Sequence, residues 1–463
     1  MNVLLVRSRP TKLENTRLPK SLASEVGYVM PLGIASIAAY LRRQRIAVSI
    51  IDAEAEELSL ADLKSRMANA KPDLVGITSM TPTIHDDVKV AAIAKELGAK
   101  VVIGGPHINA MPEDTMRIFP IDFGILGEGE YPMLRLVRAL SDKEPLKDVP
   151  GIIYFNENKK FIMNPPYIHE NLDELPFPAR DLLPYQRYSS IISKGRLATV
   201  CVGRGCPFTC GFCFKQPSDK KIRYRDYKSL VDEVEEVVNR YGVSEINFVS
   251  DSMTVKENFM VSFCQELIER KIKISWIAAT RADCVTPKLL KLMKSAGCRS
   301  LRFGVESGSE RILKLMGKNL DKQKIIQAFK WAREENIETF AYLIIGYFSE
   351  TEETVRETLS FVKKLNPDLL MYNIATPLPV TKLLEQVVDA GMVPRDYWRN
   401  FLLDENYPRI PYLFKDAEKW VEKAYREFFF SPRFVLKKIL QIRPSNIRIY
   451  LKAFRGLLRL KGQ

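Results

Sequence analysis

The chain has 463 residues, of which 46% are hydrophobic and 27% charged, and its formal net charge is +14. These values are typical of a globular protein with two or three domains, and they exclude a disordered chain. Nine basic residues and no acidic one follow position 431, so much of the excess charge belongs to the C-terminus and nucleic acid is not the expected partner.

The first 145 residues alternate between strand and helix patterns. Short apolar runs predict strands at residues 2–6, 47–52, 74–79, 101–105 and 123–127. Helical periodicity predicts helices at residues 32–44, 60–70 and 88–98. This alternation predicts a doubly wound parallel sheet of the Rossmann-like type, which binds ligands at the carboxyl ends of its strands. The loops there, "SMTPT" (79–83), "GGPHINA" (104–110) and "GEGE" (127–130), are rich in small residues.

A second alternating pattern begins near residue 197, after a proline-rich connector at residues 146–190 with some strand content near "GIIYF" (151–155). Its predicted strands lie at residues 198–202, 246–250, 274–280, 301–306, 340–346 and 369–375. Six strand–helix units at this spacing predict a (β/α)6 partial TIM barrel with its active site at the carboxyl ends of the strands. We therefore divide the chain into residues 1–145, a linker at 146–190, a barrel at 191–385 and a helical C-terminal region at 386–463.

Three cysteines stand in a C-x3-C-x2-C spacing in the loop after the first barrel strand, "GRGCPFTCGFC" (203–213). Cys206, Cys210 and Cys213 are soft thiolate ligands, and three of them can hold three irons of a [4Fe–4S] cube and leave the fourth iron open. The alternative is a zinc site with Cys201 as the fourth ligand. With seven cysteines in all, an odd number, the chain favours a metal or redox site in a reducing compartment over a secreted disulfide framework.

This motif at the end of the first strand of such a barrel closely resembles the radical S-adenosylmethionine (SAM) superfamily. The resemblance implies that SAM ligates the open iron and is cleaved to methionine and a 5′-deoxyadenosyl radical. Further matching segments are "FVSD" (248–251), "ATRAD" (279–283), "FGVESGS" (303–309) and "IIGYFSET" (344–351). By position they imply SAM contacts from Asp251, Arg281, Glu306, Ser307 and Gly346. Two residues depart from the family pattern. Phe348 stands where the family often has proline, and Val380, in "PLPVT" (377–381), stands where glycine is common.

The N-terminal half resembles the cobalamin-binding class of that superfamily, which includes methylases and the anaerobic magnesium-protoporphyrin monomethyl ester cyclase. The resemblance implies cobalamin contacts from Gly33, Ser79, Thr81, Gly104, Gly105, His107, Gly127 and Glu128. The loop after the first strand contains no histidine, so we expect no protein histidine from that loop on cobalt, and His107 to line the pocket. A dinucleotide or flavin site, or a domain without a cofactor, is the alternative.

The C-terminal segment 446–461 has apolar residues on one helical face and basic residues on the other. This pattern predicts either a helix on a membrane surface or an ordinary helix packed on the barrel or a partner. No membrane span of roughly 18 apolar residues and no signal peptide is present, so the expected location is cytoplasmic, including the inner face of the membrane.

The resemblance implies a cobalamin-dependent radical SAM enzyme that methylates an unactivated carbon of an apolar or membrane-associated small molecule, such as a lipid, isoprenoid or tetrapyrrole. An external electron donor of the flavodoxin or ferredoxin type would be its partner. The alternatives are an oxidative cyclase with the same cofactors and, from a different class, a non-catalytic iron–sulfur or cobalamin sensor. No nucleic-acid partner is expected.

Overall fold

A computed structural model describes residues 1–11, 28–188, 196–215, 221–250 and 253–440. The strands of the N-terminal domain are β1 (Asn2–Arg7), β2 (Ala47–Asp52), β3 (Leu74–Thr78), β4 (Lys100–Gly104), β5 (Phe123–Ile125), β6 (Ile152–Phe155) and β7 (Phe161–Met163). Its helices are α1 (Leu32–Arg43), α2 (Leu60–Ala70), α3 (Ile84–Glu96), α4 (Pro106–Ala110), α5 (Pro112–Ile118) and α6 (Glu130–Asp142).

These seven strands form one sheet in the order β2-β1-β3-β4-β5-β6-β7. The first five are parallel, and the strand order reverses between β1 and β3, where ligands of doubly wound sheets bind. β6 pairs antiparallel to β5, and β7 pairs antiparallel to β6, so this sheet extends past residue 145, into the predicted linker. β6 lies where strand content was expected, at residues 151–155, whereas β7 was not predicted.

Helices cover both faces of the N-terminal sheet because its strands carry apolar side chains on both sides. On one face, α1 and α6 pack on Val3, Leu5 and Val102. On the other face, α2, α3, α4 and α5 pack on Leu4, Val75 and neighbouring side chains. The predicted doubly wound architecture is confirmed.

The second domain contains a partial barrel. Its strands are β8 (Leu197–Cys201), β9 (Gly203–Arg204), β10 (Arg223–Tyr224), β11 (Glu245–Val249), β12 (Ser275–Thr280), β13 (Cys298–Glu306), β14 (Glu338–Ile345) and β15 (Leu369–Ile374). Its helices are α7 (Tyr227–Tyr241), α8 (Glu257–Glu269), α9 (Pro287–Ser295), α10 (Glu310–Leu315), α11 (Lys322–Glu334) and α12 (Glu352–Leu365).

Six of these strands are parallel, in the order β15-β14-β13-β12-β11-β8, and helices pack on the outer face of this sheet. The (β/α)6 partial barrel is thus confirmed. Local signals set the connections: the Asp226 side chain accepts hydrogen bonds from the Lys228 and Ser229 amides at the start of α7, and Gly242 ends that helix at φ +60°.

The C-terminal region contains α13 (Lys382–Asp389), α14 (Tyr397–Leu403), α15 (Ala417–Phe429) and α16 (Pro432–Leu440). α15 packs on β14 and β15 as part of the outer helical layer, and the Tyr425 hydroxyl accepts a hydrogen bond from the Tyr372 amide at 3.0 Å. Within the described ranges, no helix is long and apolar enough to cross a membrane. The predicted amphipathic tail, residues 446–461, lies outside the described residues.

Candidate active site between the two domains

A cavity of about 600 Å³ lies where the carboxyl edge of the N-terminal sheet faces the mouth of the barrel. Residues from β3, β4 and β5 and their following loops form one wall. The opposite wall comes from the barrel strands and includes Cys201, Val249 and Ala279, together with the start of the cysteine loop, residues 203–205. The two edges that the sequence predicted separately as ligand sites therefore meet at one cavity.

Five of the eight residues predicted for cobalamin line this cavity: Gly33, Gly104, Gly105, Gly127 and Glu128. A Cβ atom on Gly33 or on Gly104 would meet no protein atom within 4 Å, so a side chain at either position would extend into free space of the cavity. Gly105 and Gly127 adopt φ +99° and +78°, a region that favours glycine. The glycines thus keep the wall open and shape its turns.

The cavity also reaches a slot between the sheet and the helices α1 and α6. Gly76, in the middle of β3, lines this slot with Leu5 and Met133. A Cβ on Gly76 would lie 2.7 Å from Leu5 Cδ2 and 2.9 Å from Met133 Cε, so any side chain would obstruct it. Sequence analysis missed Gly76, although a glycine inside an otherwise apolar strand signals close approach of another group.

The other three predicted cobalamin residues, Ser79, Thr81 and His107, do not line the cavity. His107 is fully buried, and its ring nitrogens lie 3.2 Å from the Thr81 hydroxyl and 3.1 Å from the Thr115 hydroxyl. Burial lowers the pKa of His107 to about 3, so the ring is neutral. The prediction that His107 lines the pocket is corrected: α4 begins at Pro106, and its first turn directs the ring into the domain interior.

Ser79 belongs to a buried carboxylate network instead. Its hydroxyl donates to Asp87 Oδ2 at 2.6 Å, and the hydroxyls of Ser8 and Thr83 donate to the same carboxyl group at 2.5 and 2.8 Å. Burial raises the pKa of Asp87 to about 7, although these three hydrogen bonds oppose the shift. The network ties the ends of β1 and β3 to α3.

The cysteine loop begins at the end of β9, in the connection to β10, and it forms hydrogen bonds with the end of α10 and with α13. The Gly211 amide donates to the Met316 carbonyl at 2.8 Å, and its own carbonyl accepts from the Leu383 amide at 2.9 Å. A Cβ on Gly211 would lie 3.1 Å from the Tyr347 hydroxyl, so the loop packs closely against this side chain. The loop carries Cys206, Cys210 and Cys213, none of which forms a disulfide bond with a described residue.

Arg281 lies against the cysteine loop. Its guanidinium carbon is 3.8 Å from the centre of the Phe208 ring, a cation–π contact between the end of β12 and the loop. The Asp283 carboxylate accepts two hydrogen bonds from the same guanidinium at 2.9 Å each, and the Lys318 carbonyl accepts a third at 3.2 Å. Arg281 is thus buried, paired and positioned beside the predicted cluster.

Glu306 and Ser307 end β13. The Glu306 carboxylate pairs with the buried Lys318 Nζ at 2.9 Å, and Glu306 adopts φ +64°. Sequence analysis missed Lys318, since nothing in its spacing relates it to Glu306. Ser307 is fully buried, and its hydroxyl lies 3.1 Å from the Thr358 hydroxyl. Its contacts therefore connect β13 to α12.

Gly346 follows β14 at φ +83°, and its amide donates to the Glu350 carboxylate, as does the Tyr347 amide at 3.2 Å. Burial raises the pKa of Glu350 to about 7 in spite of these hydrogen bonds, and Glu350 Oε1 has no hydrogen-bond partner in the described part of the chain. Asp251, the remaining residue predicted for SAM, lies outside the described residues.

Ion pairs join the two domains at the edge of the cavity. Arg204, two residues before Cys206, contacts Glu130 at 2.6 Å and Glu128 at 3.2 Å, and Arg223 contacts Glu128 at 2.6 Å. Burial would raise the pKa of Glu128, but the hydrogen bond from Arg223 and the charge of Arg204 outweigh it and lower the pKa. The "GEGE" loop therefore contacts the cysteine loop directly, which its sequence did not reveal.

Comparisons with known proteins agree with this geometry. A model of the B12 binding domain matches residues 21–137, and a model of the radical SAM superfamily matches residues 200–362. An uncharacterized methyltransferase of Pyrococcus horikoshii is 35% identical over 439 residues, which cover 94% of this chain and 94% of that protein. The chain belongs to the cobalamin-binding radical SAM family.

One further relative and one solved structure are also similar to this chain. The anaerobic magnesium-protoporphyrin IX monomethyl ester cyclase of Rubrivivax gelatinosus is 32% identical over 78% of this chain, and the match spans 66% of the cyclase. The solved structure of TsrM from Kitasatospora setae, a radical SAM methyltransferase with cobalamin and a [4Fe–4S] cluster bound, has a TM-score of 0.69 and 19% identity. That match covers 84% of this chain and 78% of TsrM.

The residues present fit the cofactors of this family, a [4Fe–4S] cluster, SAM and cobalamin. Soft thiols on a pinned loop suit the cluster, and a cavity kept open by glycines suits a large flat ligand. Among the described residues, no group of three His, Cys, Asp or Glu converges as ligands of one metal ion. The alternative zinc ligand, Cys201, lines the cavity, and burial raises the pKa of its thiol, which opposes the thiolate that zinc requires.

Proposed function

We propose that this enzyme is a cobalamin-dependent radical SAM methyltransferase that acts on an unactivated carbon of a small organic molecule. One observation carries the proposal: a single cavity adjoins both the glycine-lined edge of the B12-binding domain and the mouth of the barrel that carries the cysteine loop. A methyl donor and a radical source held on these two walls would face the same substrate. The name of the P. horikoshii relative, which matches over nearly the whole chain, supports the same class.

In this proposal the cluster is held by Cys206, Cys210 and Cys213. Arg281, Glu306, Gly346 and Lys318 surround SAM at the strand ends, where Lys318 is added because it pairs with Glu306. Gly33, Gly104, Gly105 and Gly127 face the cobalamin, and Gly76 lines the slot for its nucleotide portion. Glu128 serves mainly to bind Arg204 and Arg223.

When bound, the cluster and SAM supply an organic radical, and cobalamin supplies the methyl group. The protein's own contribution is position and exclusion of water. The cation–π contact of Arg281 with Phe208 holds the cysteine loop against the barrel mouth. The ion pairs of Arg204 hold the same loop against the B12-binding domain, so the two cofactor walls keep a constant separation. An external one-electron donor of the flavodoxin or ferredoxin type would reach the cluster from outside.

Oxidative cyclisation is the second candidate. The 32% identity to the R. gelatinosus cyclase favours it. Both candidates use the same cavity, and they differ in the fate of the substrate radical: methyl transfer consumes a second SAM and yields S-adenosylhomocysteine, whereas cyclisation does not. An apolar or membrane-associated substrate remains part of the proposal for the methyltransferase.

The test measures products of the anaerobically reconstituted protein with dithionite, SAM and cobalamin. For a methyltransferase we expect both 5′-deoxyadenosine and S-adenosylhomocysteine from the wild type and neither from Cys210→Ala. Cys264→Ala is the matched control, because burial raises the pKa of the Cys264 thiol to about 12 and this cysteine is far from the thiolate state of a ligand. The control should retain iron and both products.

5′-Deoxyadenosine alone would favour the cyclase. Neither product from a wild-type protein that carries an intact cluster would overturn the radical mechanism and support the sensor alternative.

A further inference from the structure

The barrel side of the cavity contains an arginine that neither cofactor site explains. Arg302 lies on β13 and lines the cavity. Its Nε atom is buried and has no hydrogen-bond partner among the described residues. No ion pair or hydrogen bond joins its guanidinium to a described residue. Arg302 itself is half-buried, and an arginine with unused donors at a cavity wall is a candidate for binding an anion.

The direction of Arg302 follows from the alternation of β13. Leu301, Phe303 and Val305 pack among the outer helices in the barrel core. Because side chains alternate along a strand, Arg302 lies on the opposite face, inside the barrel. Its neighbour across the sheet is Ala279, which also lines the cavity.

Other charges on the cavity wall are already matched. Besides Arg302, the charged residues in its described lining are Glu128, Glu130 and Arg204, and these three pair with one another and with Arg223. No carboxylate in this set is left for Arg302. Its charge is therefore available to a ligand that enters the cavity.

The position of Arg302 separates it from the two cofactor sites. Along β13 it lies four residues before Glu306, about 13 Å at 3.3 Å per residue, and level with Ala279 near the end of β12. Two acidic side groups belong to the cofactors: the proposed function places the SAM carboxylate at the strand ends near Glu306, and the cobalamin nucleotide phosphate in the slot across the cavity at Leu5, Gly76 and Met133. A third molecule, the substrate, remains as the source of the anion.

We propose that Arg302 binds an acidic group, a carboxylate or a phosphate, of the substrate inside the barrel. Val249 and Ala279 are apolar neighbours on this wall, and Asn247 and Ser250 are polar ones. The substrate class is then an organic acid with an apolar body, whose acidic end binds at Arg302 on the barrel wall and whose body lies in the interdomain cavity. This inference rests on the proposed function for the identity of the reaction, but the anion site itself does not depend on methyl transfer.

The test compares an acid with its neutral isostere. Calorimetric titration of the cobalamin- and cluster-loaded protein with octanoate, octyl phosphate and octanamide measures the three dissociation constants. We expect the wild type to bind at least one of the two acids at least tenfold more tightly than the amide, since a hydrogen bond between two charged groups is roughly twice as strong as one between neutral groups. Arg302→Met should lose this preference, and Arg302→Lys should keep part of it.

Arg240→Met is the matched control, because Arg240 is an exposed arginine paired with Glu236 on α7. It should retain the wild-type preference. Equal binding of acid and amide by the wild type, absence of acid binding, or an unchanged preference in Arg302→Met would overturn the proposal.

Titration with SAM and with hydroxocobalamin tests whether Arg302 binds an anionic group of either cofactor instead of the substrate. Both affinities should change less than twofold in Arg302→Met, and a tenfold loss of either would assign Arg302 to that cofactor and overturn the substrate assignment. Formation of 5′-deoxyadenosine by the wild type, measured separately, shows whether the proposed function or only the anion site has failed.

Discussion

At the scale of single residues, glycines decide what the interdomain cavity can hold. Gly33 and Gly104 have open space where a Cβ would stand, whereas Gly76 has two side chains within 3 Å of that point. A side chain at Gly33 or Gly104 would therefore meet no protein atom but would occupy space needed by the ligand. A side chain at Gly76 would also collide with protein side chains. This difference permits a test that separates ligand exclusion from misfolding.

Substitution at Gly104 should weaken cobalamin binding in proportion to side-chain size. We expect a few-fold increase in the dissociation constant of hydroxocobalamin for Gly104→Ala and at least a hundredfold increase for Gly104→Leu, measured by equilibrium dialysis. The unfolding midpoint should not fall, because no protein atom lies within 4 Å of the new Cβ. Ala47→Leu, at an exposed position of β2, is the control. Wild-type affinity in Gly104→Leu would show that cobalamin does not lie against this residue.

At the scale of elements, the buried network of Asp87 joins α3 to the ends of β1 and β3. The pKa of Asp87 is raised to about 7 by burial. In the unfolded chain an aspartate titrates near pH 3.9. Between these values the folded protein binds more protons at this site than the unfolded chain, so its contribution to stability falls as the pH rises from about 4 to about 7.

Asp87→Asn should remove this pH dependence, because the amide mimics the protonated carboxyl group. We expect the free energy of unfolding of the variant, relative to wild type, to increase between pH 4.5 and pH 7 and to level off above pH 7. Urea unfolding at several pH values measures it. Asp142→Asn, at an exposed position on α6, should show no such trend. A relative stability of Asp87→Asn that falls over this range would contradict the raised pKa.

At the scale of the whole molecule, a few charged contacts join the B12-binding domain to the barrel. Glu130 is buried at the first turn of α6, and both its oxygens accept hydrogen bonds from the Arg204 guanidinium, at 2.6 and 3.3 Å. Arg204 is a quarter exposed, which moderates the cost of losing a partner. The pair spans 74 positions of the chain and connects the two cofactor walls.

Glu130→Gln should destabilise the protein by about 2 kcal/mol, less than the 3–5 kcal/mol of a fully buried pair, because Arg204 keeps Glu128 as a partner. Glu113→Gln breaks an exposed pair with Arg117 on α5 and should change stability by less than about 0.5 kcal/mol. Urea unfolding of both variants tests the contrast. Equal effects would mean that the interdomain pair contributes no more than a surface contact.

Much of the architecture follows from local pattern. α2 and β2 have the predicted bounds, residues 60–70 and 47–52, because capping residues and uninterrupted apolar runs mark their ends. α3 begins at Ile84, four residues before the predicted start, since its first turn contains polar residues that the apolar periodicity did not include. Within the predicted linker, the apolar run at residues 151–155 indicated β6, whereas β7, a strand of three residues, carries too little pattern to be recognised.

Some residues of the candidate site could be predicted from the sequence, and others could not. The spacing of Cys206, Cys210 and Cys213 and the glycines at 104 and 127 are visible in the sequence because their chemistry is local. Thr81 and His107 were predicted to contact cobalamin, but their side chains lie 3.2 Å from each other and do not line the cavity. The direction of a side chain depends on the packing around it, which the sequence does not show.

The sequence by itself determined the two alternating domains, the cysteine motif and the family that they resemble. The tertiary structure alone decided which charges are matched. Arg204 forms an ion pair with Glu130, and Glu306 forms one with Lys318, whereas Arg302 pairs with no described residue. Which charged side chains pair across distant segments depends on how the fold positions those segments, and this cannot be predicted from the spacing of residues in the sequence. The inference about an acidic substrate therefore comes from the fold.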